Sequence, residues 1–271
     1  MIQRIIPSSG ELLPAIGMGT WQTFDVDQAI PDLVNVLKQL HTAGGRLIDS
    51  SPMYGRSEKI IGDITSGTVF PDDFFYATKV WTTGQQAGIQ QMETSMKRMR
   101  RKTIDLMQVH NLIDWQTHLP VLRSWKDSGK IRYIGITHYT DSSHESLEKV
   151  MRSEKPDFVQ FNYSIISRHA EKKLLDAAAD LGVATLINRP FGEGGLFSKV
   201  QNKPLPEWAI ASGMESWAAF FLTYIISHPA VTCVIPATSS PAHAMDNCRS
   251  AKGEPPDSAM RKKMVEYLES L

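Results

Sequence analysis

Two apolar rhythms alternate along this chain. Short apolar runs end in a polar side chain, and each is followed by a stretch in which apolar positions return every three or four residues. Asp27 to Leu40 shows the second rhythm at Ile30, Leu33, Val34, Leu37 and Leu40, which predicts a helix stopped by Gly44-Gly45. Strand-like runs are read at Ile16–Trp21, at Leu47-Ile48 ending in Asp49, and at Phe74–Lys79, Ile104–His110, Arg132–Thr137, Phe158–Phe161, Val183–Ile187 and Val231–Ile235. The helical stretches between them open at Ser57, run over Gln85–Met99, Leu119–Ser128, Ser146–Met151, Glu171–Leu181 and Trp217–Ile226, and open again at Pro241. A last helix is predicted from Pro256 to the C-terminus. At the other end, Ile5-Ile6 and Leu12-Leu13 around Ser8-Ser9-Gly10 predict a small hairpin.

Counted from Ile16 there are eight strand-then-helix units. That alternation calls for a parallel sheet, and eight units in 271 residues call for a closed (β/α)8 barrel, a TIM barrel, with an N-terminal β-hairpin and an extra C-terminal helix. A Rossmann-type open sheet is the alternative, but the first strand-to-helix turn lacks the Gly-x-Gly-x-x-Gly phosphate loop. Residues 1–271 are expected to form a single domain.

Charge and cysteine narrow the function classes. Lys plus Arg and Asp plus Glu both number 29, so the formal net charge is zero, which argues against nucleic acid or a membrane surface as a partner. No stretch approaches the roughly 18 apolar residues of a membrane span. Cys233 and Cys248 are too few for a disulfide framework and lack metal-ligand spacing, so no metal is expected. A reducing, cytoplasmic setting and a monomer are the default expectations.

In such a barrel the reacting groups sit at the carboxyl ends of the strands. Asp49 ends the second strand with Tyr54 on the loop behind it, Lys79 ends the third and His110 the fourth. Taken singly, Lys79 reads as well as a solvated charge, His110 as a core histidine and Tyr54 as a packed aromatic. At matching rims they suit an acid–base site. A phenol has an ordinary pKa near 10, which a nearby ammonium would lower; a buried Lys79 needs a counter-charge, and Asp49 is at hand. His110 would hydrogen-bond a carbonyl oxygen. The set holds no reductant, so a carbonyl-protonating site needs a hydride from a nicotinamide cofactor.

These residues resemble the aldo-keto reductases, (β/α)8 barrels that reduce aldehydes and ketones with NAD(P)H. The likeness covers nearly the whole chain: Gly17-Met-Gly-Thr-Trp21, Gly45 to Glu58, Ala77-Thr-Lys79, Gln108-Val-His110, Gly135-Ile-Thr137, Val159-Gln160 and Ile235-Pro-Ala-Thr-Ser239 with Asp246-Asn247. It implies that Asp49, Tyr54, Lys79 and His110 are catalytic and that Tyr54 is the general acid. It also implies that Gly19, Thr20 and Trp21 lie beside the nicotinamide ribose, that Thr137, His138 and Gln160 hold the carboxamide, and that Asn188 faces the ring. Pro190, Phe191, Gly192, Gly194 and Leu196 would line the diphosphate, and Pro236, Thr238, Ser239, His243, Asp246 and Asn247 the adenosine end.

His138 replaces the family's usual Asn, Asn188 a frequent Tyr, Ala237 a frequent Lys and His243 a frequent Arg. NADP(H) is the expected cofactor, with NAD(H) left open, because the last two changes remove the groups that usually grip a 2′-phosphate. The family's long C-terminal loop is not evident before Leu271, which implies a wide, shallow substrate pocket walled by Trp21, Met53, Trp81 and Trp115. The expected activity is reduction of small-molecule carbonyls to alcohols; the alternative is a cofactor-sensing regulatory subunit with slow turnover.

Overall fold

The hairpin comes first: β1 (Gln3–Ile5) pairs antiparallel with β2 (Leu12–Pro14), Arg4 opposite Leu13. The computed structural model describes residues 1–67, 70 and 73–271. Eight parallel strands follow among these residues: β3 (Met18–Gly19), β4 (Leu47–Asp49), β5 (Phe75–Val80), β6 (Ile104–His110), β7 (Ile131–Thr137), β8 (Phe158–Asn162), β9 (Ala184–Asn188) and β10 (Cys233–Val234). They pair in chain order, and bridges from Ile16 to Val234 and from Gly19 to Ala237 bring the last strand back to the first. The expected barrel is therefore present.

The helices are α1 (Pro31–Thr42), α2 (Ser57–Thr65), α3 (Gln85–Met99), α4 (Trp115–Asp127), α5 (His144–Glu154), α6 (Leu174–Leu181), α7 (Gly195–Lys199), α8 (Glu207–Ala211), α9 (Trp217–Ile226), α10 (Pro241–Arg249) and α11 (Ser258–Glu269). Several bounds differ from those read in the sequence, each for a local reason. α1 waits for Pro31, whose fixed φ suits the first helical position. α11 starts at Ser258 because the Asp257 carboxylate accepts the Met260 N–H at 2.8 Å and caps it there. The predicted loop before α9 holds α7 and α8, too short for periodicity to reveal.

Closing the barrel requires close backbone approach at β3. A Cβ on Gly19 would sit 2.8 Å from the Ile235 carbonyl oxygen and one on Gly17 2.9 Å from that of Leu47, so only glycine lets strands meet there. Side chains then divide by parity. One alternating set points inward, where Leu47, Phe75, Ala77, Leu106, Tyr133 and Phe158 meet Ile6 and Leu13 of the hairpin side and form a second, inner core. The other set, with Ile48, Tyr76, Met107, Val109 and Ile136, packs against the helices in the larger outer core.

Where α2 crosses α3, a Cβ on Gly62 would lie 2.1 Å from the Arg98 carbonyl oxygen. Helix propensity alone favours alanine there by about 1 kcal/mol; the clash opposes it with rigid backbone. Gly62→Ala should destabilise the fold, by about 1–3 kcal/mol in chemical denaturation.

Candidate active site

Inward parity, apolar in the lower barrel, turns polar at the carboxyl ends of the strands. Asp49 follows Leu47 on the inner face, Lys79 follows Ala77, Gln108 and His110 follow Leu106, and Gln160 follows Phe158. Lys79 Nζ donates to Asp49 Oδ2 at 2.6 Å and to the Ser50 carbonyl oxygen at 2.7 Å. Lys79 has no exposed side-chain surface and Asp49 only 3%. The other carboxylate oxygen, Asp49 Oδ1, accepts from Gln108 Nε2 at 2.9 Å and Gln160 Nε2 at 3.1 Å, and Gln160 Oε1 accepts from Thr137 Oγ1 at 3.2 Å. A buried charge without partners costs several kcal/mol, so the amides and the carbonyl are what allow both ions to persist there.

The loop after β4 then turns back over this pair. Gly55 has φ 58°, and a Cβ on it would meet the Asp25 carboxylate at 2.3 Å, the same group that accepts the Arg56 N–H at 3.0 Å. That turn sets the Tyr54 ring with its centroid 5.1 Å from the Lys79 ammonium and 6.0 Å from the His110 ring, at 85° to it. Ser51 Oγ is 3.0 Å from His110 Nδ1; with Ser51 donating, His110 carries its hydrogen on Nε2. Glu58, at the end of the same stretch, turns away into the outer layer, where it accepts from Thr78 Oγ1 at 2.7 Å.

Burial decides the protonation states. It raises the Tyr54 phenol above its ordinary 10; the Lys79 charge opposes this and Asp49 reinforces it. Lys79 thus pulls in the direction expected from sequence, but the net direction is upward and the phenol keeps its proton. For Lys79 burial is the largest single effect and disfavours the ammonium, but the Asp49 and Tyr54 charges and the hydrogen bonds to both together outweigh it, and the pKa is raised. His110 is driven down to about 2, by burial first and then by the Lys79 and His138 charges, so it is a neutral imidazole.

Above the ion pair lies a cavity of about 600 Å³. Asp49, Tyr54 and His110 form its floor, with Thr137 and Gln160 beside them. Gly19, Thr20, Trp21, Met53, Trp81, Asn188, Pro190, Phe191 and Gly194 line it as well. The Trp81 backbone is fixed from both sides by the Gln91 amide, at 2.5 and 3.0 Å. Among the described residues ten large hydrophobics are exposed, and five of them, Trp21, Met53, Trp81, Tyr139 and Phe197, line this cavity, a concentration that marks a ligand surface.

Other residues singled out in the sequence stand elsewhere. Trp115 opens α4 and packs against the outer core, not in the cavity wall. Leu196 is fully buried in that core. His138 stacks on Tyr139 and accepts that residue's N–H at 2.9 Å, while its carbonyl accepts from Asn188 Nδ2 at 3.3 Å. Gly192 has φ 55° in the turn ahead of α7. Pro236 belongs to the closure, its carbonyl accepting the Gly19 N–H at 3.1 Å. Thr238 Oγ1 accepts the Ser240 N–H at 3.0 Å at the start of α10, where Ser239 and His243 are exposed. Asn247 is buried in the same helix, and Asp246 accepts from Ser216 Oγ at 2.6 Å, the residue that caps α9.

Gln22, Thr23, Asn111, Tyr139, Arg189, Glu193, Phe197 and Ile235 also line the cavity and were not singled out, as does Ala237, which was named only as a replacement for a frequent Lys. Gln108 was quoted only within a motif, although parity from His110 would have put it on the inner face.

A depressed histidine ties stability to pH. Unfolded His110 takes a proton below about 6.5 and the folded residue does not until about 2, so stability is full above pH 6.5 and is lost as pH falls through that window. Wild type should lose up to about 1.4 kcal/mol per pH unit more than His110→Gln on the acid side of 6.5. Denaturation midpoints across pH check it, and parallel slopes would contradict a neutral, buried His110.

Comparison with known proteins agrees with this architecture. The family model described as Aldo/keto reductase family matches residues 15–266. The methylglyoxal reductase YeaE of Escherichia coli K12 is 27% identical over 256 residues, covering 91% of this chain and 89% of that protein. The aldo-keto reductase YhdN of Bacillus subtilis is 27% identical over 213 residues, 72% of this chain and 63% of its own. Among solved structures, an aldo/keto reductase from Klebsiella pneumoniae in complex with NADP and acetate superposes with a TM-score of 0.83 at 22% identity, covering 99% of this chain and 95% of the other. The barrel closed through Gly19 and the match over residues 15–266 make this chain a member of the aldo/keto reductase family.

Proposed function

We propose that the chain reduces small carbonyl compounds to alcohols with NADP(H), with Tyr54 as the proton donor. The observation that carries this reading is a buried, fully partnered Lys79–Asp49 pair set beneath a phenol that holds its proton at the floor of an apolar-walled cavity. Relatives named as methylglyoxal reductases and neighbours described with NADP or NADPH support it.

The cavity also suits a nicotinamide. Among the described residues Asn111 Oδ1 and Asn188 Oδ1 are buried without hydrogen-bond partners, and both residues line the cavity, so a donor such as a carboxamide N–H would satisfy an oxygen that no described residue does. Thr137, Gln160 and His138 would hold that carboxamide, with Thr20 and Trp21 beside the ribose. The turn from Pro190 through Gly194 would run along the diphosphate, and Thr238, Ser239 and His243 would meet the adenosine end. When bound, the reduced cofactor supplies a hydride.

The rest of the chemistry belongs to the chain. His110 Nε2–H and the Tyr54 O–H converge on one carbonyl oxygen and donate to it. As negative charge grows there, the oxygen becomes a stronger base than a phenolate and takes the Tyr54 proton. The phenolate left behind is stabilised by the Lys79 ammonium, which Asp49 keeps charged, so the ion pair acts on the intermediate state of Tyr54 and not on its resting state.

Tyr54→Phe should lower the single-turnover reduction rate of a simple aldehyde by about 10²-fold or more while NADPH binding stays within about twofold. Stopped-flow absorbance and fluorescence titration measure the two, and a full rate in the variant would overturn the assignment.

A further inference from the structure

Apart from Lys79, which is buried below, one side chain of full positive charge lines the cavity among the described residues, and neither motif nor periodicity marks it. Arg189 follows the last residue of β9. Its guanidinium lies over the Tyr139 ring at 4.3 Å and pairs with Glu193 Oε1 at 2.7 Å, and its charge is felt at the Tyr54 phenol. Arg189 and Glu193 both hold left-handed backbone, φ 51° and 56°, in a turn where Gly192 and Gly194 do the same. A glycine would relax either position, so the turn spends backbone strain to present these two side chains.

We propose that Arg189 receives an oxyanion on the cavity wall and that Glu193 is the internal anion it exchanges for that group. This rests on the carbonyl-reductase reading above. The pair is built for exchange: both side chains keep solvent contact, at 32% and 48%, and an ion pair this exposed contributes little to stability. Tyr139 holds the guanidinium plane in place when the carboxylate leaves, so its fork of N–H donors stays oriented for a phosphate or carboxylate. The oxyanion has two chemical sources, the diphosphate of the cofactor or a carboxylate on the carbonyl substrate.

Two variants of opposite expected sign test it. Arg189→Gln removes the receiver, and Glu193→Gln removes its competitor. If the anion belongs to the cofactor, the NADPH dissociation constant measured by fluorescence rises about tenfold in the first and falls about two- to fivefold in the second. If it belongs to the substrate, NADPH binding is unchanged and the kcat/KM ratio of 4-carboxybenzaldehyde to benzaldehyde falls in the first and rises in the second by similar factors. A mere staple between the ends of the turn would weaken in both variants alike, and that common direction, or no change in either, overturns the proposal. Wild type that binds no NADPH would instead sink the underlying reading.

Discussion

An ammonium cannot lie unpartnered in the middle of a barrel, and the upper half of this one is arranged around that constraint. Lys79 has no exposed surface, and its charge is met by Asp49 and the Ser50 carbonyl within 2.7 Å. Asp49 in turn needs donors for its second oxygen, which Gln108 and Gln160 supply from strands two and four places along the sheet. Register makes this possible: Asp49 stands level with Ala77, and Lys79 with Gln108. Removing one member of such a pair typically costs about 3–5 kcal/mol because the other is left buried and charged. Fold and chemistry thus share one interaction.

The same burial sets the neighbours' protonation. The phenol of Tyr54 is raised and the imidazole of His110 depressed, both chiefly by desolvation, so near neutral pH each presents an N–H or O–H donor and no charge. Two neutral donors over a fixed cation suit an oxygen that begins neutral and becomes negative, since the stabilising charge is already in place and no water must reorganise. Aromatic and apolar side chains line much of the cavity around them.

Much of this was legible in the sequence. The helices Gln85–Met99 and Trp217–Ile226 have the bounds that apolar spacing gave, and the rim positions of Asp49, Lys79 and His110 followed from counting strand ends. What was not legible depends on register or on local backbone. That Gln108 and Gln160 share one carboxylate oxygen requires knowing which strand residues stand level. Trp115 faces the outer core because α4 begins four residues before the predicted start, and no aromatic count reveals the direction it points. Arg189 and Glu193 owe their aim to left-handed φ values that composition, with its glycines next door, only hints at.

The central claim is that the proton comes from a buried phenol that is protonated at rest. The pH dependence of the single-turnover reduction rate, followed by stopped flow on one unionised aldehyde at saturating cofactor, tests this most directly. The rate should stay level through neutrality and fall only above about pH 10, as the raised phenol finally ionises. A titration limb between about pH 6 and 8 would contradict the account, because neither Tyr54 nor His110 changes charge there.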